Sequence, residues 1–256
     1  MPDQTALTKV FDDQALAYDR YRPSYPSQLL DQLFSNCSLK PGSTVLEIGC
    51  GTGQLTIDLL ERGLQVLAVE KGENLALIAQ AKTKNYPQAT IQIADFNEWS
   101  SLHSFDLTVC AQAFHWFDTE KTLKKIHQFL KPAGSLGLLW HLDRSQDTEF
   151  WKASGLIYDR YFRPRSNISS PESYKIAETH LQASENWTDP ITAFFPWEKW
   201  YNKEEYLGLL STFSGHMTLA EPQRSAFFQE IADLIDQFEA KVLRKYVSMY
   251  VFARKI

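Results

Sequence analysis

Residues 45 to 56 run Val45-Leu46-Glu47-Ile48-Gly49-Cys50-Gly51-Thr52-Gly53-Gln54-Leu55-Thr56, an apolar strand that passes directly into glycines at every second position. No other stretch limits the possible folds of this chain as much. Glycine tolerates positive φ and carries no Cβ, so a ligand can come close to the backbone there. A strand that ends in such a loop and leads into a helix offers free N–H groups and the positive end of a dipole. Two well-known loops of this kind do not fit. A dinucleotide fingerprint requires G-x-G-x-x-G/A, but its last position falls on Gln54 when counted from Gly49 and on Thr56 when counted from Gly51. A Walker loop requires Gly-Lys-Ser/Thr at its end, which is absent. What remains is E-x-G-x-G-x-G.

Strand-like runs alternate with helical patterns from residue 44 to 143, which argues for a parallel sheet with helices on both faces. Gln65 to Val69 ends in Glu70, Ala89 to Ala94 ends in Asp95-Phe96, and Phe105 to Cys110 leads into AQAFHWFD at 111–118. Leu55, Leu59 and Leu60 form one helical stripe; Leu123, Ile126 and Leu130 form another. Pro132 and Gly134 are expected to stop that second helix before a strand from Ser135 to Trp140. A single strand-end acid is ordinary, because Asp and Glu mostly face solvent. Acids at the carboxyl ends of successive parallel strands lie where open α/β sheets bind ligands.

In this order the elements resemble those of the class I methyltransferases that use S-adenosylmethionine. The phrases AQAFHWFD and LKPAG are similar to the small-molecule, type 11 or trans-aconitate methyltransferase-like branch. The resemblance implies a doubly wound, Rossmann-like α/β fold. Its sheet would have seven mostly parallel strands, an antiparallel last strand between the fifth and sixth, and a helical cap insertion. S-adenosylmethionine is the implied cofactor, and no metal is implied. Glu47, Gly49, Cys50, Gly51 and Gly53 would form the cofactor loop, with Glu70 on the ribose hydroxyls and Lys71 beside it. Asp95 and Phe96 would meet the adenine, and Ala111 and Gln112 would follow the fourth strand. Tyr18 and Arg22 would come from an N-terminal segment, Phe11 to Pro26, that folds over the cofactor as a lid or packs as a plain structural helix.

At 256 residues the chain suits a single methyltransferase domain: a lid segment (1–35), a cofactor-binding core (36–143), a helical cap (144–190) and C-terminal strands and helices (191–256). The sixth strand is expected around Ala193 to Tyr201 and the last at Tyr246 to Ala253. A long helix between them is expected to open with a capping box at Thr218-Leu219-Ala220-Glu221 and to bury Phe227, Ile231, Leu234, Phe238 and Val242. A net charge of −5 gives no electrostatic reason to expect nucleic acid or an acidic membrane. Cys37, Cys50 and Cys110 lack metal-type spacing and read as reduced thiols of a cytoplasmic protein. The start has no apolar signal core, and no run approaches the ~18 apolar residues of a membrane span. The expected partner is a small-molecule acceptor, and the expected assembly a monomer or homodimer.

For the acceptor, His115 is either a base or a group that shapes the site, and His141 is a weaker candidate of the same type. Arg160, Arg163 and Arg165 either grip an anion such as a carboxylate or form a solvated helix end. Trp151, Trp187, Trp197 and Trp200 either wall a pocket or fill the core. Two rival functions stay open at this point. One is a catalytically silent protein that binds the cofactor as a regulator. The other is a nicotinamide-dependent dehydrogenase, disfavoured by the broken fingerprint.

Overall fold

The computed structural model describes residues 11–162 and 172–256. Arg163 and Arg165 lie outside the described residues. Helices α1 (Ala15–Tyr21) and α2 (Ser27–Cys37) precede β1 (Thr44–Ile48), α3 (Gln54–Glu61), β2 (Gln65–Glu70), α4 (Glu73–Thr83), β3 (Ala89–Ile93) and β4 (Phe105–Ala111). Then come α5 (Thr119–Phe129), β5 (Leu130–Asp143), α6 (Glu149–Tyr161) and α7 (Glu172–Gln182). The chain closes with β6 (Ile191–Asn202), α8 (Lys203–Leu210), α9 (Ser214–Met217), α10 (Gln223–Gln237) and β7 (Lys241–Arg254).

The seven strands form one sheet in the order β3-β2-β1-β4-β5-β7-β6. β7 runs antiparallel to both neighbours, pairing Ser135 to Asp143 with Arg254 to Tyr246, and Ile191 to Asn202 with Phe252 to Lys241. Successive side chains of a strand face opposite ways, so the sheet feeds two apolar layers. Leu46, Ile48, Leu136, Leu138 and Trp140 pack on one side with Ile126 of α5 and Leu181 of α7. Val45, Leu107, Val109 and Leu139 pack on the other with Leu29, Leu30 and Leu33 of α2 and Leu55 and Leu59 of α3. Those three α2 leucines are at most 1% exposed. Each contributes roughly 1.5–3 kcal/mol of burial, enough to pin the helix that follows the N-terminal segment.

Several boundaries differ from the sequence reading. α5 ends at Phe129, and Leu130 already belongs to β5, which continues to Asp143. Pro132 to Gly134 form an irregularity within the strand, with a register shift opposite Phe105 and Leu107 and a positive φ at Ala133. No capping box opens α10. Thr218 ends α9 instead, and the Glu221 carboxylate takes the Ser225 N–H and hydroxyl. The capping box in this region lies earlier, at Asn202 and Glu205 of α8. Phe227, Ile231 and Ile235 form the buried stripe of α10, and Val242 belongs to β7. A third apolar cluster joins α6, α8, α10 and the start of β7.

Candidate active site

The loop after β1 takes three left-handed glycines, with φ of 69° at Gly49, 57° at Gly51 and 83° at Gly53. A Cβ on Gly49 would sit 2.7 Å from the Ala113 Cβ, so this glycine lets the β1 and β4 loops touch. β1 has β2 on one side and β4 on the other, which makes this the switch point where an open α/β sheet forms its crevice. Gly53 serves differently. It is the N-cap of α3 and packs on Ala79, and it does not line the cleft.

Glu70, at the end of β2, is 7% exposed and belongs to the same unit. Its Oε2 accepts from Gly51 N at 2.9 Å and its Oε1 from Gly72 N at 2.8 Å. Burial raises its pKa above the ordinary value, and these N–H bonds oppose the rise. Glu47 is 1% exposed, with Thr56 Oγ1 donating to its Oε2 at 2.6 Å. Burial, with Glu70 nearby, pushes it up to about 8, so it is mostly protonated at neutral pH. Lys71 pairs with Asp95 at 3.0 Å, and Asp95 also accepts from Asn97 N. Partial burial would raise the Asp95 pKa, but Asn97 and Lys71 outweigh it and hold the carboxyl below its ordinary value. Phe96 is largely buried beside Trp99, and Cys50, Ala111 and Gln112 complete this wall of the cleft.

The N-terminal segment closes over the loop. A Cβ on Gly51 would meet the Tyr18 ring at 3.6 Å, so the tyrosine lies directly above the glycines. Asp12 Oδ1 accepts from Leu75 N and caps α4. Asp19 pairs with Lys82, and Arg20 with Glu204 of α8. Tyr21 seats on Gly208, where a Cβ would come within 2.4 Å of the ring.

Beyond the loop, the cleft continues between β5, β7 and the C-terminal helices, with a volume of about 930 Å³. Arg22, Tyr25, His115, Trp116, His141 and Trp151 line this second half, together with Phe213, His216, Arg244 and Tyr246. Arg244 is 5% exposed and donates to Asp143. His115 has one side open to the cleft. Desolvation by the surrounding walls, with Arg22 nearby, pushes it down to about 4. His141 stacks on Tyr25 at 4.5 Å and contacts Ser248 Oγ through Nδ1 at 2.7 Å; burial pushes it to about 3.

The cap expectations are partly corrected. Arg160 does not line the cleft; it donates to Glu230, which also takes the Tyr161 hydroxyl. Of the four tryptophans outside the cofactor core, only Trp151 lines the cleft. Trp187 is buried against His127, Trp197 stacks on Tyr246, and Trp200 is exposed. Thr212, Phe213, His216 and Arg244 were missed. A signal for the last was present: Tyr246, Ser248 and Tyr250 alternate with Val247, Met249 and Val251, and Arg244 falls on the same face at strand period.

A family description of a methyltransferase domain matches residues 45–134. An uncharacterized methyltransferase of Mycobacterium tuberculosis is 33% identical over 179 residues, covering 69% of each chain. The chain belongs to the S-adenosylmethionine-dependent methyltransferases. A malonyl-[acyl-carrier protein] O-methyltransferase of Priestia megaterium is 33% identical over 142 residues, covering 53% of this methyltransferase and 51% of the relative. The fold matches a Geobacter sulfurreducens S-adenosylmethionine-dependent methyltransferase solved with S-adenosylhomocysteine, at a TM-score of 0.56 and 14% identity, covering 94% and 97% of the two chains.

The residues present fit the cofactor S-adenosylmethionine. The glycines leave the loop backbone approachable beneath Tyr18, and the Glu70 carboxylate is fixed at the end of the next strand. The cleft volume is near the upper end for small-molecule sites, room enough for a cofactor and an acceptor together. The group supplies a methyl carbon activated on a sulfonium.

Proposed function

We propose that this methyltransferase acts on a small-molecule carboxylate and makes its methyl ester. The observation that carries the reading is the state of the histidines facing the cleft. His115 and His141, held at about 4 and about 3, are neutral at physiological pH and are weak bases. General base catalysis is most effective when the base has a pKa near the working pH. A hydroxyl or ammonium acceptor would need such a base, whereas a carboxylate is already ionised. The carboxylate oxygen supplies the electron pair of the new O–C bond, the C–S electrons return to sulfur, and no proton moves.

The chain's own contribution is orientation, which can be worth roughly 7–11 kcal/mol of barrier. Trp116, Trp151, Phe213 and Tyr246 wall the acceptor half, and Tyr18 shields the junction from water. The resemblance to an O-methyltransferase relative supports transfer to oxygen. The N-terminal segment acts as the lid of the site, and Tyr18, Glu47, Glu70, Lys71, Asp95 and Phe96 hold the cofactor. The test is a turnover panel of carboxylates, phenols and amines, with wild type and His115→Gln. Turnover of carboxylates that survives His115→Gln, with no histidine limb in the pH profile, supports the reading. A loss of several orders of magnitude in kcat, with cofactor affinity intact, would replace it with a hydroxyl or amine acceptor.

A further inference from the structure

Among the described residues, Arg22 is a half-buried charge of the cleft that no carboxylate answers. Its Nε donates to Thr212 Oγ1 at 2.8 Å and its Nη2 to the Thr212 carbonyl at 2.6 Å. The guanidinium lies over the Phe213 ring at 4.4 Å and the Tyr18 ring at 5.1 Å. Among the described residues no carboxylate pairs with it, and Nη1 has no hydrogen-bond partner. The titratable groups that bear on it are Tyr18, Tyr246, Tyr25 and a second cation, Arg244. Among the described residues Arg244 is matched by Asp143, Lys71 by Asp95, and Glu70 by two backbone N–H groups, while the side chain of Arg144, at the exposed rim, donates only to the Asp143 carbonyl. Burying a cation without a counter-ion is costly. A ligand anion would remove that cost.

We propose that Arg22 is the anion anchor of the acceptor site and holds the carboxylate of the acceptor; this rests on the carboxylate reading above. The resemblance placed Arg22 with the cofactor, but its fixed partners lie elsewhere. Thr212 and Phe213 sit in the α8–α9 connection, and Arg244 and Tyr246 on β7. Thr212 holds one edge of the planar fork, and the Nη1 edge is left for a ligand. A carboxylate has about four lone-pair sites, so two N–H bonds leave a lone pair for attack. Esterification then removes the negative charge. Hydrogen bonds to a charged acceptor are about twice as strong as neutral ones, so the grip loosens on the product.

The test measures binding to protein saturated with S-adenosylhomocysteine. The probes are benzoate, hexanoate and their methyl esters; 5′-methylthioadenosine, which lacks the cofactor's amino-acid end, is a control. Wild type should bind an acid at least about tenfold more tightly than its ester. Arg22→Gln should erase that preference and Arg22→Lys should keep part of it. S-adenosylhomocysteine and methylthioadenosine should both bind within about twofold of wild type in these variants. Thr212→Val, which frees the guanidinium while keeping its charge, should cost a few-fold in acid affinity and covers the case of a poorly folded Arg22 variant.

If Arg22→Gln weakens S-adenosylhomocysteine about tenfold but spares methylthioadenosine, the cation serves the cofactor and the proposal falls. An acid preference that persists in Arg22→Gln overturns the assignment of Arg22 alone. If wild type binds neither acid, the carboxylate reading falls with it.

Discussion

In the cofactor half of the cleft, backbone sets the geometry: left-handed glycines, strand ends, and N–H groups that fix the Glu70 carboxylate. In the acceptor half the contacts are side chains brought together from α1, β5, α6, the α8–α9 connection and β7. The charges differ too. Glu47, Glu70 and Asp95 face Lys71 in the first half, whereas Arg22, Arg144 and Arg244 face Asp143 in the second. On the function proposed above, a cofactor carrying a cationic sulfonium would lie beside Glu70 and Asp95, and the acceptor would meet a basic and aromatic space. One chain can therefore hold the cofactor site nearly constant and change its acceptor by replacing side chains on separate elements.

The largest effect on binding should come from breaking the backbone half. Gly51 has φ 57°, which a β-branched residue resists, and its Cβ side faces the space beneath Tyr18. Gly51→Val should weaken S-adenosylhomocysteine by a factor of about 100 or more, roughly 2.7 kcal/mol. The thermal shift that the ligand gives wild type should vanish. A folded Gly51→Val protein with unchanged affinity would show that the glycine loop is not what holds the cofactor.

Glu47 tests whether the acidic half stores an ionisation cost. Its folded-state pKa is about 8 against an ordinary 4.5, so the native state binds the extra proton between those values. Stability is therefore highest below about pH 4.5, falls as pH rises towards 8, and levels off above. Glu47→Gln can still accept from Thr56 and carries no charge. It should remove this slope and gain roughly 4–5 kcal/mol over wild type at pH 9, with the two converging near pH 4.5. Urea unfolding across that range measures the difference. Parallel curves would mean that Glu47 is not held protonated.

The two halves also differed in how legible they were. The E-x-G-x-G-x-G stretch, Glu70 and Asp95 could be placed because each contact lies within a few residues of a strand end, and strand ends show in hydrophobic patterning. The antiparallel β7 beside β5 followed from family resemblance rather than from local propensity. Thr212 and Phe213 carried no local mark of function, because their role depends on folding beside a segment some 190 residues earlier. The resemblance singled out Arg22 for the cofactor, but its partner across the fold, Thr212, was not legible. For the cap arginines the sequence left an anion grip and a solvated helix end both open. Arg160 is taken by Glu230, a partner 70 residues on that no local pattern shows, and Arg163 and Arg165 lie outside the described residues.

Gly208 tests whether the N-terminal segment is seated on the second half of the cleft. Alanine in a helix interior is ordinarily favoured over glycine by roughly 0.5–1 kcal/mol. Here a Cβ would come within 2.4 Å of the Tyr21 ring. Overpacking of that kind costs about 1–3 kcal/mol, so Gly208→Ala should destabilise by about 1 kcal/mol net despite its better propensity. Hydrogen exchange should localise the loosening to α1, and S-adenosylhomocysteine should bind a few-fold more weakly. A stabilised Gly208→Ala protein would show that the Tyr21 seat does not hold the segment.

The smallest effect is expected where a cation lies outside the cleft. Arg160 is half exposed at the end of α6, beside a glutamate that is itself partly exposed. Ion pairs in such settings contribute little, because water and salt screen them and ordering two long side chains costs entropy. Arg160→Ala should leave benzoate affinity and every kinetic constant within about twofold of wild type, at both low and high salt. Arg22→Gln, measured beside it, should lose the preference for acid over ester. Both substitutions remove one positive charge, so a long-range field effect would move them together and a contact would separate them. If Arg160→Ala raised KM as much as Arg22→Gln, the basic character of the acceptor half would act through the general field of the domain. No single anchoring residue would then need to be invoked.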